Sequence, residues 1–233
     1  MCDTCGCGNG KKTVVVERSI NEVNDALAEH NSQHLSEKNI LCVNIMGAPG
    51  CGKTSFIEAL AKHLPKDELA VIQGDLESDI DKRRLEALGI YAHQINTHSG
   101  CHLSAQMINK ALMDMDLSGK KYLLIENVGN LVCPAQVKLG QHMNIVISST
   151  TEGSDKPRKY PLIFLEADAI VISKIDLAEA AGFSEKDYLR DLKSIGAGAK
   201  IIKTSSKDLA SFKDVAGEIS HKRHHMTGTS HNH

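Results

Sequence analysis

The residues with the most chemistry to offer lie in Gly47-Ala48-Pro49-Gly50-Cys51-Gly52-Lys53-Thr54. The spacing is G-x-x-x-x-G-K-[ST]. In that pattern glycines let backbone N–H groups close around phosphates, a lysine reaches the terminal phosphates, and a hydroxyl binds Mg²⁺. Gly47, Gly50 and Gly52 are the backbone cradle, Lys53 is the catalytic cation, and Thr54 is the magnesium ligand. Ser55, the next residue, joins the phosphate-binding set at the start of a helix. A tight turn that binds no nucleotide is the bland alternative. The flanks weigh against it, because the apolar run Ile40 to Met46 precedes the loop and the helix-like Ser55 to Ala61 follows it.

Carboxylates should complete such a site. Leu69 to Gln73 reads as a buried strand running into Gly74-Asp75, and Tyr122 to Glu126 reads as another that ends in acid. Acids at strand ends beside a phosphate loop are placed to hold Mg²⁺ or water in its shell, so Asp75 and Glu126 are the catalytic and metal candidates. Glu77, Asp79 and Asp81 follow at a helix start, where acids also simply complement the helix dipole. Gly129 can follow a γ-phosphate, and Cys133 lies in the same switch-like loop, so a metal on that thiol would sense the nucleotide.

Ala169 to Ile172 is a further strand, ending in Ser173-Lys174-Ile175-Asp176. This is close to N-K-x-D, in which the carboxylate accepts from both guanine N1–H and the 2-amino group. Ser173 replaces the usual asparagine, while Lys174 and Asp176 remain, so the base read is guanine and the nucleotides are GTP and GDP.

Soft metal ligands form a second constellation. Cys2, Cys5 and Cys7 put three thiols within six residues among glycines. With a freed α-amine they make a four-ligand shell, which suits Ni²⁺ if planar and Zn²⁺ if tetrahedral. A redox pair or an inert tail is the alternative, and the glycines offer no helix N-terminus to activate a thiol. Cys101-His102 precedes a helix from about Leu103 to Met113; alone, the pair reads more simply as a buried thiol and a capping imidazole. Five histidines, at 221, 224, 225, 231 and 233, crowd a polar tail that fits either weak metal buffering or plain solvation.

The elements needed to position these groups are legible. Strands are also expected at Tyr91 to Ile95, Asn144 to Ser148 and Lys200 to Thr204, with Thr151 to Lys159 as a charged mobile loop and a last helix over roughly Asp208 to Ser220. Lys11 to Asn39 reads as a linker carrying one helix, begun by a capping box at Ser19 to Glu22. With 233 residues, 41% of them hydrophobic, one large α/β domain is expected: a mostly parallel sheet flanked by helices, P-loop at its centre, plus a flexible metal-binding N-terminus. The divisions are 1–39 for the thiol loop, linker and helix, 40–220 for the nucleotide domain, and 221–233 for the histidine tail. A net charge of −2 and 4 Phe, 4 Tyr and no Trp argue against a nucleic-acid partner. No apolar run approaches a membrane span, so no membrane insertion is expected, and unpaired thiols fit the cytoplasm.

Taken together, Cys2-x-x-Cys5-Gly6-Cys7, the phosphate loop, Gly74-Asp75, Ile95-Asn96-Thr97 leading to Gly100-Cys101-His102-Leu103, and Glu126-Asn127-Val128-Gly129-Asn130-Leu131-Val132-Cys133-Pro134 resemble the hydrogenase nickel-incorporation GTPases, HypB, relatives of the urease accessory GTPase. The resemblance covers nearly the whole chain. It implies a tight nickel site at the N-terminal thiols and a weaker nickel or zinc site from Cys101, His102 and Cys133 at a nucleotide- and metal-dependent homodimer interface. It favours Asp75, Asp81 and Glu126 as the switch acids. Its implied function is slow, regulatory GTP hydrolysis that gates Ni²⁺ insertion into the [NiFe] hydrogenase large-subunit precursor, alongside other nickel-delivery accessory proteins. The rival readings are a nickel store with nucleotide-controlled dimerisation and an accessory GTPase for urease. The thiols and the Glu126 to Pro134 string set it against urease.

Overall fold

The computed structural model describes residues 9–75, 80–97 and 100–228, with residues 9–20 and Asp75 described through the backbone alone. The N-terminal thiols Cys2, Cys5 and Cys7, the acids Glu77 and Asp79, and His231 and His233 lie outside those residues. The strands are β1 (Leu41–Gly47), β2 (Leu69–Asp75), β3 (Tyr91–Asn96), β4 (Tyr122–Glu126), β5 (Met143–Ser149), β6 (Ala169–Ser173) and β7 (Lys200–Lys203). They form one seven-stranded sheet in the order β3-β2-β4-β1-β5-β6-β7, every pairing parallel.

A parallel sheet is covered on both faces, so its inner strands are mostly apolar. All of β1, β4 and β6 is buried, while the edge strands β3 and β7 are partly exposed. The helices are α1 (Asn9–Glu37), α2 (Lys53–Leu60), α3 (Ile80–Ala87), α4 (Ala105–Asp114), α5 (Lys156–Lys159), α6 (Pro161–Leu165), α7 (Glu185–Ile195) and α8 (Lys213–Gly228). One face of the sheet packs Leu41, Val43 and Ile45 against α2, α3 and α8 through Phe56, Ile57, Leu85, Val215 and Ile219. The other packs Cys42, Ile72 and Leu123 against α1 and α4, and Val146 and Ile170 against α6 and α7. Among the described residues no helix is long and apolar enough to cross a membrane.

Three expectations shift. The helix expected to begin at Ser19 runs from Asn9, and its second half is part of the domain rather than a tether. Asn31 is fully buried there; its Nδ2 donates to Ala105 O (2.9 Å) and Leu139 O (3.1 Å), and its Oδ1 accepts from Asn109 Nδ2 (2.8 Å). The charged segment Thr151 to Lys159 holds a one-turn helix over Thr150–Glu152, closed by a capping box from Ser149, and then α5. The last helix continues to Gly228, so the boundary expected at 221 falls inside α8.

His142 locks α1 to the start of β1. Its Nδ1 accepts from Cys42 N (2.9 Å), and its Nε2 lies 3.0 Å from Ser36 Oγ and 3.3 Å from Ser32 O. Accepting at Nδ1 places the ring proton on Nε2, and a second proton would face the Cys42 N–H. Burial, with Lys222 nearby, lowers the pKa from its ordinary 6.5. The unfolded chain therefore binds this proton more readily than the fold, and stability present above about pH 6.5 is lost as the pH falls. Urea midpoints measured from neutral pH downward are expected to decline. His142→Asn, which offers an amide oxygen near the Nδ1 position and does not titrate, should lessen that decline; an unaltered pH slope would contradict the assignment.

Candidate functional site

The site sits at the C-terminal ends of β1, β2 and β4. Here β4 lies between β1 and β2, although the chain visits β2 first, which opens a crevice at the switch in strand order. After β1 the chain turns through Gly50 (φ 74°) and Gly52 (φ 99°), conformations that side chains resist, and enters α2 with Lys53 as its first residue. Backbone N–H groups at the start of α2 thus face a cavity of about 390 Å³, lined by Gly50, Gly52, Lys53, Thr54, Ser55, Asp81, Glu126 and Gly129 among others.

Oxygen ligands converge in that cavity. Thr54 Oγ1 donates to Glu126 Oε1 (2.7 Å) and lies 3.2 Å from Asp81 Oδ2. Glu126 Oε2 accepts from Gln73 Nε2 (3.0 Å). Burial raises the Glu126 pKa, opposed by the Gln73 and Thr54 hydrogen bonds and by Lys53. Arg84 holds Asp81 Oδ1 (2.9 Å) and Glu58 Oε2 (2.9 Å) and so orients the Asp81 carboxylate. Lys53 Nζ donates to Ala48 O (3.3 Å) and Gly47 O (3.4 Å). Asp75 ends β2 at the same edge of the sheet. Sequence reasoning missed Gln73 and Arg84. Gln73 is the polar end of an apolar run, just before Gly74-Asp75, which was the available signal for the first; its pairing with Glu126 shows only in the register.

The base-reading candidates lie beside the same loop. Ser173 Oγ donates to Cys51 O (3.0 Å), and Lys174 Nζ donates to Gly50 O (2.8 Å), so the end of β6 is tied to the phosphate loop. Lys174 adopts φ 56°. Ser205 Oγ donates to Asp176 Oδ1 (2.6 Å) and Lys207 Nζ meets Oδ2 (3.0 Å), which together hold the Asp176 pKa below the usual carboxylate range. Cys51 is an inert part of this scaffold, its thiol pushed up to about 11 by burial.

A second cluster forms where sequence spacing alone showed little. The ligand atoms of Cys101, His102 and Cys133 all lie within 4.8 Å of one another, with Cys101 Sγ 3.3 Å from His102 Nδ1. The hydrogen bond with the neighbouring Cys133 thiol raises the Cys101 pKa. Two thiols and one imidazole at the surface suit a borderline or soft cation such as Ni²⁺ or Zn²⁺, and leave at least one position for a further ligand. Cys101 is exposed, so that position is open to a partner.

The two clusters share one loop. A Cβ on Gly129 would meet Pro49 Cα and N at 3.0 Å, so the backbone of the loop after β4 sits directly on the phosphate loop. Asn130 N donates to Gly47 O (3.1 Å), Asn130 Nδ2 donates to Cys101 O (3.4 Å), and Asn130 Oδ1 accepts from Val132 N (2.8 Å), one residue before Cys133. A ladder of amides sets the base of this arrangement. Asn44 Nδ2 donates to Asn144 Oδ1 (3.1 Å), Asn127 Nδ2 donates to Asn44 Oδ1 (3.1 Å), and Asn127 Oδ1 accepts from Val128 N (2.9 Å) and Leu103 N (3.4 Å). Asn127 and Asn130 were quoted in the sequence only as parts of a string.

The sequence profile described as the CobW/HypB/UreG nucleotide-binding domain matches residues 41–203. The hydrogenase/urease maturation factor HypB of Helicobacter hepaticus is 40% identical over 218 residues, which is 91% of this chain and 89% of that protein. HypB from Helicobacter pylori, solved in complex with nickel, superposes with a TM-score of 0.84 at 37% identity, over 90% of this chain and 99% of that one. The hydrogenase maturation factor HypB from Archaeoglobus fulgidus gives 0.80 at 39%, over 87% and 99%.

Asn130→Ala removes two side-chain hydrogen bonds from the loop and none from the core. Losing about 1 kcal/mol of hydrogen bonding makes local opening about fivefold more frequent. Alkylation of Cys133, followed by mass spectrometry, should accelerate to that extent while the thermal midpoint moves little; an unchanged rate would show that Asn130 does not hold the loop.

Proposed function

Because the chain belongs to the CobW/HypB/UreG family of nucleotide-binding proteins, we propose that it is a GTP-hydrolysing nickel metallochaperone that delivers Ni²⁺ during maturation of a [NiFe] hydrogenase. The observation that carries this reading is the shared loop: Gly129 and Asn130 touch the phosphate loop, Asn130 also hydrogen-bonds Cys101 O, and Cys133 of the same loop belongs to the thiol–imidazole cluster. A γ-phosphate that shifts Gly129 must shift Cys133, and moving one thiolate changes the affinity for the cargo.

The roles follow from the residues. Gly47, Gly50, Gly52, Ser55 and Gly129 surround the phosphates with backbone and hydroxyl donors, and Lys53 turns from its carbonyl partners to the β- and γ-phosphates. The convergent oxygens of Thr54, Asp81 and Glu126 suit a hard divalent ion and would hold Mg²⁺, with Asp75 beside them. Bound there, Mg²⁺ neutralises charge on the phosphates. Glu126 orients water for attack, its carboxylate held by Gln73. Asp176, kept ionised by Ser205 and Lys207, accepts the two guanine donors, and Lys174 closes the base site against Gly50. Hydrolysis is slow and serves as a timer.

The Cys101–His102–Cys133 cluster binds Ni²⁺ or Zn²⁺ and is completed across a two-fold axis by the same residues of a second copy, so nucleotide and metal together favour the homodimer. Cys2, Cys5 and Cys7 form the tight nickel site that loads the cargo in the cytoplasm. The partners are the hydrogenase large-subunit precursor and other nickel-delivery accessory proteins. The hydrogenase/urease name carried by the Helicobacter relative keeps urease as a second client. A nickel store whose nucleotide domain only controls dimerisation is the remaining alternative.

Two substitutions test the reading. Lys53→Ala should abolish GTP hydrolysis and hydrogenase maturation while nickel binding at the N-terminal thiols persists; maturation that survives the loss of hydrolysis would favour the store. Asp176→Asn should shift preference from GTP to XTP by about 10- to 100-fold, the worth of hydrogen bonds to a charged group. Equal loss of both nucleotides would remove Asp176 from base reading.

A further inference from the structure

The histidines of α8 remain unassigned by the nucleotide and thiol sites. His221 and His225 stand four residues apart, on one face of the helix, and both are exposed. Their Nε2 atoms lie 3.0 Å apart, with ring centroids 4.4 Å apart at an interplanar angle of 74°. The two Nε2 atoms therefore already face one another across a hydrogen bond, one as donor and one as acceptor, at a separation one metal ion could bridge. We propose that His221 and His225 form a separate bis-imidazole metal site that takes a borderline divalent cation of planar or octahedral preference, Ni²⁺ or Cu²⁺, in preference to tetrahedral Zn²⁺.

The selectivity follows from the spacing. With metal–nitrogen bonds of about 2.0–2.1 Å, nitrogens 3.0 Å apart subtend about 91–97° at the ion, whereas a tetrahedral angle needs about 3.3–3.4 Å between them. Neighbouring ligands at a right angle belong to square-planar and octahedral coordination. On chelation both rings carry their proton on Nδ1. The one proton now shared between the Nε2 atoms moves to the far nitrogen of its own ring, so no proton is released.

One further feature favours a cation here. His225 lies in the last turn of α8, where the carbonyl end of the helix dipole is negative. The site is remote from the nucleotide. Lys222 meets Asp168 just before β6, and Arg223 reaches Asn39 O and the Tyr122 ring at the starts of β1 and β4. This is the edge of the sheet opposite the phosphate loop, so its occupancy should not follow the nucleotide state.

Full-length reduced protein equilibrated with excess Ni²⁺ by dialysis tests the site. His221→Asn/His225→Asn should retain one Ni²⁺ ion fewer per chain than the native protein, with the thiolate-to-nickel absorption of the cysteine sites unaltered and the thermal midpoint close to native. His224→Asn, on another face of the same helix, should match the native stoichiometry. An unchanged stoichiometry in the double variant, or the same loss in His224→Asn, would overturn the site. Loss of that ion to an equal concentration of Zn²⁺ would overturn the coordination geometry assigned to it.

Discussion

The interaction on which the rest of the structure depends is the seating of the loop after β4 on the phosphate loop. Gly129 has no side chain because Pro49 occupies that space at 3.0 Å, and Asn130 bridges Gly47 on one side and Cys101 on the other. Neither contact is large. Their consequence is geometric: the loop that carries Cys133 is packed directly on the phosphate loop.

What keeps that junction in register is the buried parallel sheet. β1 and β4 are adjacent, so the two loops that leave them are adjacent too. The amide ladder Asn144–Asn44–Asn127 runs from β5 across β1 to the residue after β4 and fixes the start of the segments that carry Cys101-His102 and Cys133, through Leu103 N and Val128 N. Buried amides left unpaired would be costly, so this ladder enforces one register where apolar side chains alone would tolerate slippage. Gly74 serves the same end, since Leu103 packs where its Cβ would stand and draws the Cys101-His102 segment onto the end of β2.

Much of this was legible. The strand expected at Tyr122 to Glu126 is β4 to the residue, and the others differ by one or two residues at their ends, because apolar runs bounded by glycine, asparagine and acids mark parallel strands clearly. The phosphate loop, Asp81 and Glu126 line one cavity. Three-dimensional proximity across sequence was harder. Cys101 and Cys133 are 32 positions apart, and only the resemblance to a family, later borne out by the match over residues 41–203, joined them in advance. The depth of α1 in the fold was also hidden, because a largely polar segment gives little sign that Asn31 is wholly buried. The end of α8 was misjudged because polarity was read as tail, whereas its last turns are tied down by Lys222 and Arg223.

The central claim is that nucleotide and cargo are coupled through one loop. The most direct test is a Ni²⁺ titration of the reduced protein, followed by thiolate-to-nickel absorption, first with GDP and then with a non-hydrolysable GTP analogue, beside a variant with Cys2, Cys5 and Cys7 replaced by alanine. The account predicts two classes of thiolate site, the tighter lost in the variant and the weaker shifted by the nucleotide. Equal affinity of the weaker class in both nucleotide states would contradict it.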